Sequence, residues 1–270
     1  MANKKIFRRY ELKYLMSEQQ ADKLHGIMQA HMRPDEFGRS RVGSIYFDTK
    51  DHLLIRRSIE RPAYKEKLRI RYYGDRTAPS QMFLELKKKY DHVVYKRRLT
   101  VEEFLKKGSQ EQITKEIQYF TELYKGLGPA AHISCDREAW FAKDDPDFRM
   151  TFDRDIRYRE YERTKSGYYL PEGEGKAILR DKMVLLEVKT ALGMPRWLLD
   201  FFDEEKIYKQ RFSKYGMGYT QSMMEESKQR AAALKARREA ERRQRETEGR
   251  TASAARRRMM GNEPVMQEGA

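Results

Sequence analysis

The fold is decided by a short basic stretch, Lys65-Glu66-Lys67-Leu68-Arg69-Ile70-Arg71. In a β-strand its four cations occupy alternate positions on one side of a sheet, while Leu68 and Ile70 lie on the other. A half-exposed antiparallel strand with its polar face in water shows the same alternation. Four neighbouring cations nevertheless repel each other, and a solvated face normally mixes both signs of charge. Taken alone, the stretch is most simply such a half-exposed strand, and the repulsion between its cations is the first observation that favours a ligand on the charged face.

The same pattern recurs in the strands predicted around this stretch. Strands are predicted at residues 7–15, 42–49, 64–73, 82–89, 93–99, 133–141, 149–153 and 183–190. Basic residues share one strand face in five further groups, four of which also contain an acidic residue. The groups are Arg9, Glu11 and Lys13; Glu85, Lys87 and Lys89; Val94, Lys96 and Arg98; Arg149, Thr151 and Asp153; and Glu187 and Lys189. Each repetition makes chance solvated faces a weaker explanation.

A few helices are predicted between these strands. Ser17 with Gln20, and Thr100 with Glu103, have the spacing of capping boxes that open helices. Residues 113–125 have helical periodicity, and Pro195 suits the first position of another helix. The expected fold class is α+β.

An antiparallel barrel would turn the apolar strand faces outward against the helices and enclose the charged ones. Buried cations need an anion, because desolvating them unpaired costs several kcal/mol each. A triphosphate or a longer phosphate chain would supply that charge. The interspersed carboxylates could hold Mg²⁺ or Mn²⁺ through hard oxygen ligands. The sequence thus predicts phosphoryl chemistry in a basic tunnel.

Composition supports this prediction and sets the expected domain limits. The 270 residues carry a net charge of +15, of which only +4 lies from Gln221 onward, so most of the excess belongs to the part expected to fold. We expect a tunnel domain over residues 5–219 and a basic tail over 220–270, helical at first and without regular structure after Gly249. One cysteine, no apolar span and no evident signal peptide indicate a cytoplasmic protein.

Several other functions are disfavoured by the residues. Gly173-Glu174-Gly175-Lys176 lacks the spacing of a phosphate-binding P-loop, and the five histidines show no paired zinc spacing. Tyrosine pairs such as Tyr72-Tyr73 could stack on nucleic acid bases, but no groove- or strand-reading motif accompanies them. No specific nucleic acid partner is expected.

Nine segments together resemble the VTC domain of the triphosphate tunnel metalloenzyme, or CYTH-like, superfamily. They appear in the family's order over residues 6–219. They are Arg9-Tyr10-Glu11-Leu12-Lys13-Tyr14, Tyr46-Phe47-Asp48-Thr49, Lys67-Leu68-Arg69-Ile70-Arg71, Glu85-Leu86-Lys87, Tyr95-Lys96-Arg97-Arg98, Arg137-Glu138-Ala139-Trp140, Arg149-Met150-Thr151-Phe152-Asp153, Leu186-Glu187-Val188-Lys189 and Ser213-Lys214-Tyr215.

The resemblance implies an eight-stranded antiparallel tunnel that binds ATP and extends polyphosphate by transferring the γ-phosphoryl group. Carried over by position, the catalytic phosphate contacts are Lys13, Arg69, Arg71, Lys87, Lys96, Arg137, Arg149 and Lys214. Arg98, Lys189 and Ser213 are further substrate contacts, and Glu187 and Glu85 are the expected metal ligands for Mn²⁺ or Mg²⁺. Cys135 stands where the family often has Tyr, so an aromatic hydroxyl contact is missing; Cys135 itself reads as a small buried residue.

Two alternatives to the polymerase stay open. A tunnel triphosphatase would transfer the phosphoryl group to water, and residue types do not decide between the two acceptors. A non-catalytic polyphosphate-binding module would be expected to lack the carboxylates, which are present here as Glu85 and Glu187. The basic tail is by default a solvated helix, with binding to polyphosphate, an anionic membrane surface or a membrane partner as the second hypothesis.

Overall fold

A computed structural model describes residues 10–60, 62–74, 82–90, 93–106 and 112–260, with no side-chain description at 249–250, 254 and 256–260. Arg9, Asp91, His92 and the side chains of Arg256-Arg257-Arg258 therefore lie outside the described residues. Residues 1–219 form one compact unit and residues 220–270 a second.

The first unit is built on one antiparallel sheet. The strands are β1 (Tyr10–Ser17), β2 (Met32–Asp48), β3 (Tyr64–Tyr73), β4 (Phe83–Tyr90), β5 (Val93–Thr100), β6 (Gly128–Ala142), β7 (Arg149–Glu160), β8 (Glu162–Thr164), β9 (Gly167–Tyr169), β10 (Lys176–Ala177) and β11 (Met183–Thr190). Eight of them follow the order β1-β11-β7-β6-β2-β3-β4-β5, with β10 paired to β7 and a separate β8-β9 pair. The α+β prediction is confirmed, and each predicted strand exists.

The helices begin largely where their caps predict. They are α1 (Glu18–His31), α2 (Leu53–Glu60), α3 (Val101–Leu105), α4 (Gln112–Leu123), α5 (Arg196–Glu204) and α6 (Lys214–Met260). Both capping boxes form, at Ser17 and at Thr100. Pro195 is the N-cap of α5 and not its first helical residue, because its ψ of 152° is extended while its carbonyl already accepts from Leu198.

The helices cover the outer face of the sheet in two places. α1 and α5 bury Leu24, Met28 and Phe201 against the apolar faces of β1, β7 and β11. On the other half, α4 packs Ile117 and Phe120 against β3 and β4. Because burial of each large apolar side chain is worth roughly 1.5–3 kcal/mol, these two cores fix the outward orientation of the apolar faces. The charged faces are therefore turned inward.

Contacts across the interior show how strongly the sheet curls. β1 and β5 are the two ends of the strand order and are not paired to each other in the described ranges. Even so, Lys87 Nζ on β4 lies 3.8 Å from a Glu11 oxygen on β1. Lys67 Nζ on β3 donates over 3.1 Å to Ser213 Oγ, just before α6. Strands from opposite ends of the sheet thus face one another around a tunnel.

One end of this interior is apolar. Tyr46, Cys135, Leu185 and Tyr215 are buried together in a cluster that shares strand faces with the charged residues. Asp48, at the end of β2, links this apolar end to two helices. It accepts hydrogen bonds from backbone N–H groups in the first turn of α2, and from the hydroxyl of Tyr215 on α6 over 3.0 Å. The charged lining is consequently confined to the remainder of the tunnel.

The second unit contains the rest of α6. The helix continues to Met260, past Gly249, where composition predicts the end of regular structure. Alanine, arginine and glutamate, which dominate this part, have high intrinsic helix propensity, and this outweighs the single glycine. No helix in the described ranges is both long and apolar enough to span a membrane.

Candidate active site

The first wall of the tunnel consists of β3, β4 and β5. Strand register places side chains in transverse rows on the inner face, since residues directly opposite one another project to the same side. One row is Arg69, Glu85 and Arg98, and the next is Lys67, Lys87 and Lys96. The pairing of these strands therefore gathers five predicted phosphate contacts, Arg69, Lys87, Lys96, Arg71 and Arg98, around one carboxylate.

Glu85 is that carboxylate, and it is fully engaged. Arg69 donates two hydrogen bonds to it, over 2.8 and 2.7 Å, and Lys96 Nζ lies 2.8 Å away. Although burial raises it, Arg69 and Lys96 lower the pKa of Glu85 to about 2. Arg98 adds a guanidinium at 3.5 Å. Glu85 orients the arginines of this wall.

The second wall consists of β6, β7, β11 and β1. Arg137 forms a two-pronged hydrogen bond to buried Asp153, with both distances 2.6 Å. Lys214, at the start of α6, bridges Asp153 at 2.5 Å and Glu187 at 2.9 Å. Lys13 lies 4.0 Å from the same Glu187 oxygen. These cations hold the pKa of both carboxyl groups below the usual range against the opposing effect of burial.

Other cations in the tunnel lack such partners. Within the described ranges, no carboxylate lies within salt-bridge distance of Lys67, Arg71 or Lys189. Burial, together with the neighbouring charges of Lys65, Lys87 and Lys13, lowers the pKa of Lys67 to about 8. Burial likewise lowers the pKa of Lys189 to about 8. The pKa of Arg71 falls for the same reason, with Arg69 and Arg137 nearby.

These shifts describe a site short of negative charge. Desolvated cations are destabilised in their charged form, and an anion that enters removes that penalty. Among the described residues, the lining includes the carboxylates Glu11, Glu85, Asp153 and Glu187 and a larger number of basic side chains, which are Lys13, Lys67, Arg69, Arg71, Lys87, Lys96, Arg98, Arg137, Arg149, Lys189 and Lys214. A polyanion with several charges spaced along a chain fits this lining.

The part of the tunnel lining around Glu187 and Glu11 suits a divalent metal ion. Glu187 and Glu11 lie on adjacent strands, where Lys13 stands opposite Glu187, and their negative charges interact. Arg137 is 3.6 Å from the second Glu187 oxygen, beyond a normal hydrogen bond, so that oxygen retains capacity for a hard cation. Glu85, predicted as the second ligand, is engaged by Arg69 and Lys96 on the first wall. Among the described residues, no cluster of three or more His, Cys, Asp or Glu forms a ready-made metal cage.

The remaining predicted residues also lie in or beside the tunnel. Arg149, on β7, is 3.3 Å from Asp35 and stacks over Phe141. Arg98 lies over the ring of Phe83 at 3.6 Å. Ser213 accepts from Lys67 and from the backbone of Gly216. Cys135 is buried, which raises the pKa of its thiol to about 12, so it is a neutral interior group.

Sequence reasoning assigned no role to three residues of the site. Asp153 is fully buried at the centre of the second wall, and Glu11 pairs with Lys13 over 2.7 Å. Tyr46 accepts a hydrogen bond from Arg69, and the surrounding cations lower the pKa of its phenol to about 8 despite its burial. Glu11 and Asp153 were visible as acidic positions on basic strand faces. Nothing in the sequence placed Tyr46 beside Arg69.

A curled antiparallel sheet that encloses rows of basic residues and a few carboxylates defines the triphosphate tunnel class of protein. The VTC domain family model matches residues 8–223, and the chain belongs to this family. The resemblance noted in the sequence is thereby confirmed.

Solved structures similar to the chain include a candidate adenylate cyclase from Vibrio parahaemolyticus, with 13% identity and a TM-score of 0.43 over 78% of this chain and 97% of that one. Another is a candidate adenylyl cyclase from Hippeastrum described as having a dominant triphosphatase activity. It shows 15% identity and a TM-score of 0.48 over 79% of this chain and 96% of that one. No curated protein matches the chain in sequence.

Proposed function

We propose that the protein is a metal-dependent polyphosphate polymerase that transfers the γ-phosphoryl group of ATP to a growing polyphosphate chain inside the tunnel. The observation that carries this proposal is the excess of buried cations on two facing walls. Lys67 and Lys189 in particular are desolvated without a carboxylate partner in the described ranges. Membership of the VTC domain family points in the same direction.

The basic side chains would position the phosphates and neutralise charge as it moves during transfer. Arg69 and Arg137 are held rigidly by Glu85 and Asp153, so their remaining N–H groups are oriented before a ligand enters. Such preorganised donors stabilise a phosphoryl transition state more than flexible ones do. Lys87 and Lys96 are more exposed, and together with Lys13 they would follow the chain along the tunnel.

Glu187 and Glu11 would hold the divalent metal, Mn²⁺ or Mg²⁺. When bound, this ion would supply further positive charge at the phosphate oxygens. Lys13 and Lys214, which contact these carboxylates in the empty site, would then be released towards the substrate. In this proposal the lysines keep the carboxylates ionised and in place until metal and substrate enter.

One feature favours a phosphate acceptor over water. The pKa values of Glu11 and Glu85 are about 2, and those of Asp153 and Glu187 are also depressed, so these groups are weak bases near neutral pH. Hydrolysis benefits from a base that takes a proton from water. The terminal phosphate of a polyphosphate chain is already ionised and needs none. The carboxylates are therefore poor candidates for that base, which favours the polymerase; in a triphosphatase, Lys67, Lys189 or Tyr46, whose pKa values are about 8, would have to take their place.

The test is incubation of the purified protein with ATP and Mn²⁺ or Mg²⁺, with chain growth and free phosphate measured separately. We expect long-chain product that is lost in Glu187→Gln and retained in Glu162→Gln, a matched change at an exposed residue of β8. Phosphate release without chains would instead establish the triphosphatase. Tight polyphosphate binding without either product would establish the non-catalytic module.

We also propose that the protein acts in the cytoplasm, where ATP is available and a lone thiol such as Cys135 stays reduced. Fractionation of cells that express a tagged chain checks this, and recovery outside the cytoplasmic compartment would contradict it.

Binding of the basic tail to an anionic membrane surface stays a separate proposal. Vesicle sedimentation with a variant truncated after Tyr219 tests it, and unchanged binding would contradict it.

A further inference from the structure

Thr151 is a buried polar residue on the inner face of the second wall. It lies on β7 directly opposite Glu187 of β11 on one side and Ala139 of β6 on the other. Because opposed residues share a face, its side chain projects into the tunnel with Glu187. Only 1% of Thr151 is exposed, and its hydroxyl oxygen has no hydrogen-bond partner among the described residues. A buried hydroxyl without a partner costs about 1–3 kcal/mol, which calls for an explanation.

Two basic residues beside Thr151 also have unused hydrogen-bond donors in the described part of the chain. Arg149 is two residues away on the same face of β7, and its Nε is also buried without a hydrogen-bond partner in the described ranges. Lys189 stands directly opposite Arg149 on β11, with no carboxylate within salt-bridge distance among those residues. Two buried donor atoms without a hydrogen-bond partner among the described residues, Thr151 Oγ1 and Arg149 Nε, thus lie beside a lysine that has no carboxylate within salt-bridge distance there. Their common chemistry calls for an acceptor with several oxygens.

We propose that the Thr151 hydroxyl is a substrate contact that donates a hydrogen bond to an oxygen of the phosphoryl group held by Arg149 and Lys189. This inference rests on the proposed function, because it places a triphosphate in the tunnel. A neutral donor is suited to this position, since the neighbouring Glu187 carboxylate repels a phosphate oxygen. Thr151 supplies a hydrogen bond there without adding another buried charge.

The test is Thr151→Val, which keeps the shape of the side chain and removes the hydroxyl. Calorimetric titration with inorganic triphosphate is expected to show affinity about 10- to 100-fold weaker than wild type, as for loss of a hydrogen bond to a charged group. Thr151→Ser restores the hydroxyl and is expected to bind within about threefold of wild type. The melting temperature of the empty Thr151→Val protein is expected to be unchanged or higher, because an unpartnered buried hydroxyl is removed.

Thr114 provides the matched control. It is a buried threonine of α4, outside the tunnel, and it is not without an interaction partner. Thr114→Val is expected to lower the melting temperature and to leave triphosphate affinity unchanged. A purely structural role for Thr151 would give this same pattern in Thr151→Val.

Two outcomes overturn the inference in different ways. If wild type and Thr151→Val bind triphosphate equally, the Thr151 contact is wrong while the tunnel proposal stands. If the wild-type protein binds no triphosphate, with or without Mg²⁺, the proposed function fails and the Thr151 contact fails with it.

Discussion

The tunnel and the C-terminal part of α6 are both rich in lysine and arginine, yet their charges are in opposite situations. On α6, Arg230, Arg237 and Arg242 each pair with a glutamate one turn away, and their side chains are 74–84% exposed. In the tunnel, Lys67 and Lys189 are buried and have no carboxylate partner in the described ranges. Water and glutamates stabilise the charges of the basic side chains on the helix, whereas those in the tunnel need an anionic ligand. Desolvated charge, and not total charge, is what indicates the function.

The largest difference is expected from the loss of one basic residue in each region. Lys214→Met leaves the buried carboxylates of Asp153 and Glu187 without their shared cation, which should cost about 3–5 kcal/mol of unfolding free energy. Arg242→Met breaks an exposed pair with Glu246 and should cost about 0.5 kcal/mol or less. Urea denaturation of both variants checks this. Equal losses of unfolding free energy in the two variants would contradict the difference between buried and exposed ion pairs.

Removal of a buried cation that has no carboxylate partner should raise the free energy of unfolding and not lower it. Lys189→Met replaces a buried charge with an apolar side chain, so the empty protein should gain about 1 kcal/mol or more of stability while triphosphate binding weakens. Lys235→Met, at an exposed site of α6, should change neither property. Thermal unfolding with and without triphosphate measures both effects. Destabilisation of the empty Lys189→Met protein would contradict this account.

The pH dependence of stability follows from the same cations. The pKa values of Lys67 and Lys189 are about 8 in the folded protein, below the ordinary 10.5 expected on unfolding. Between those values the unfolded chain binds more protons, so stability should increase as pH rises from about 8 to 10.5. The lowered pKa of Tyr46 acts in the same direction. Urea titrations at several pH values should show a smaller increase in the Lys67→Met/Lys189→Met variant; an equal increase would argue against this origin.

The smallest effect is expected on α6. Arg242→Gln/Arg243→Gln should change triphosphate affinity by less than about twofold at physiological salt, where exposed charges are screened beyond roughly 8 Å. Calorimetric titration measures this affinity. A loss comparable to that of Lys189→Met would show that the helix shares in binding.

Strand periodicity predicted the tunnel because several of its strands alternate apolar and charged residues along the charged part of the interior. The β3 stretch with Lys67, Arg69 and Arg71 is the clearest example, and the structure places these three residues on the inner face opposite Lys87, Glu85 and Phe83 of β4. The start of β2 at Met32 was missed, since Pro34 and Gly38 resemble a turn. The structure accommodates both beside a register shift.

Pairings across the tunnel were beyond sequence reasoning. Asp153 and Glu187 share Lys214 only because strand β7, strand β11 and the start of α6 converge, and no local pattern encodes that meeting. The separation of Glu85 from Glu187 on different walls was hidden for the same reason. Periodicity indicates which face a side chain occupies, but register and curl decide its partners.

The buried lysines of the tunnel require a bound polyanion as their counter-charge. Calorimetric titration of the protein with ATP at pH 8.5, in two buffers of different ionisation enthalpy, tests this requirement most directly. The phosphates of ATP are fully ionised there, whereas Lys67 and Lys189 are mostly neutral in the empty site. Binding is expected to take up about one proton, and the Lys67→Met/Lys189→Met variant is expected to take up far less. Binding of ATP with no proton uptake, or with equal uptake in the variant, would contradict this requirement.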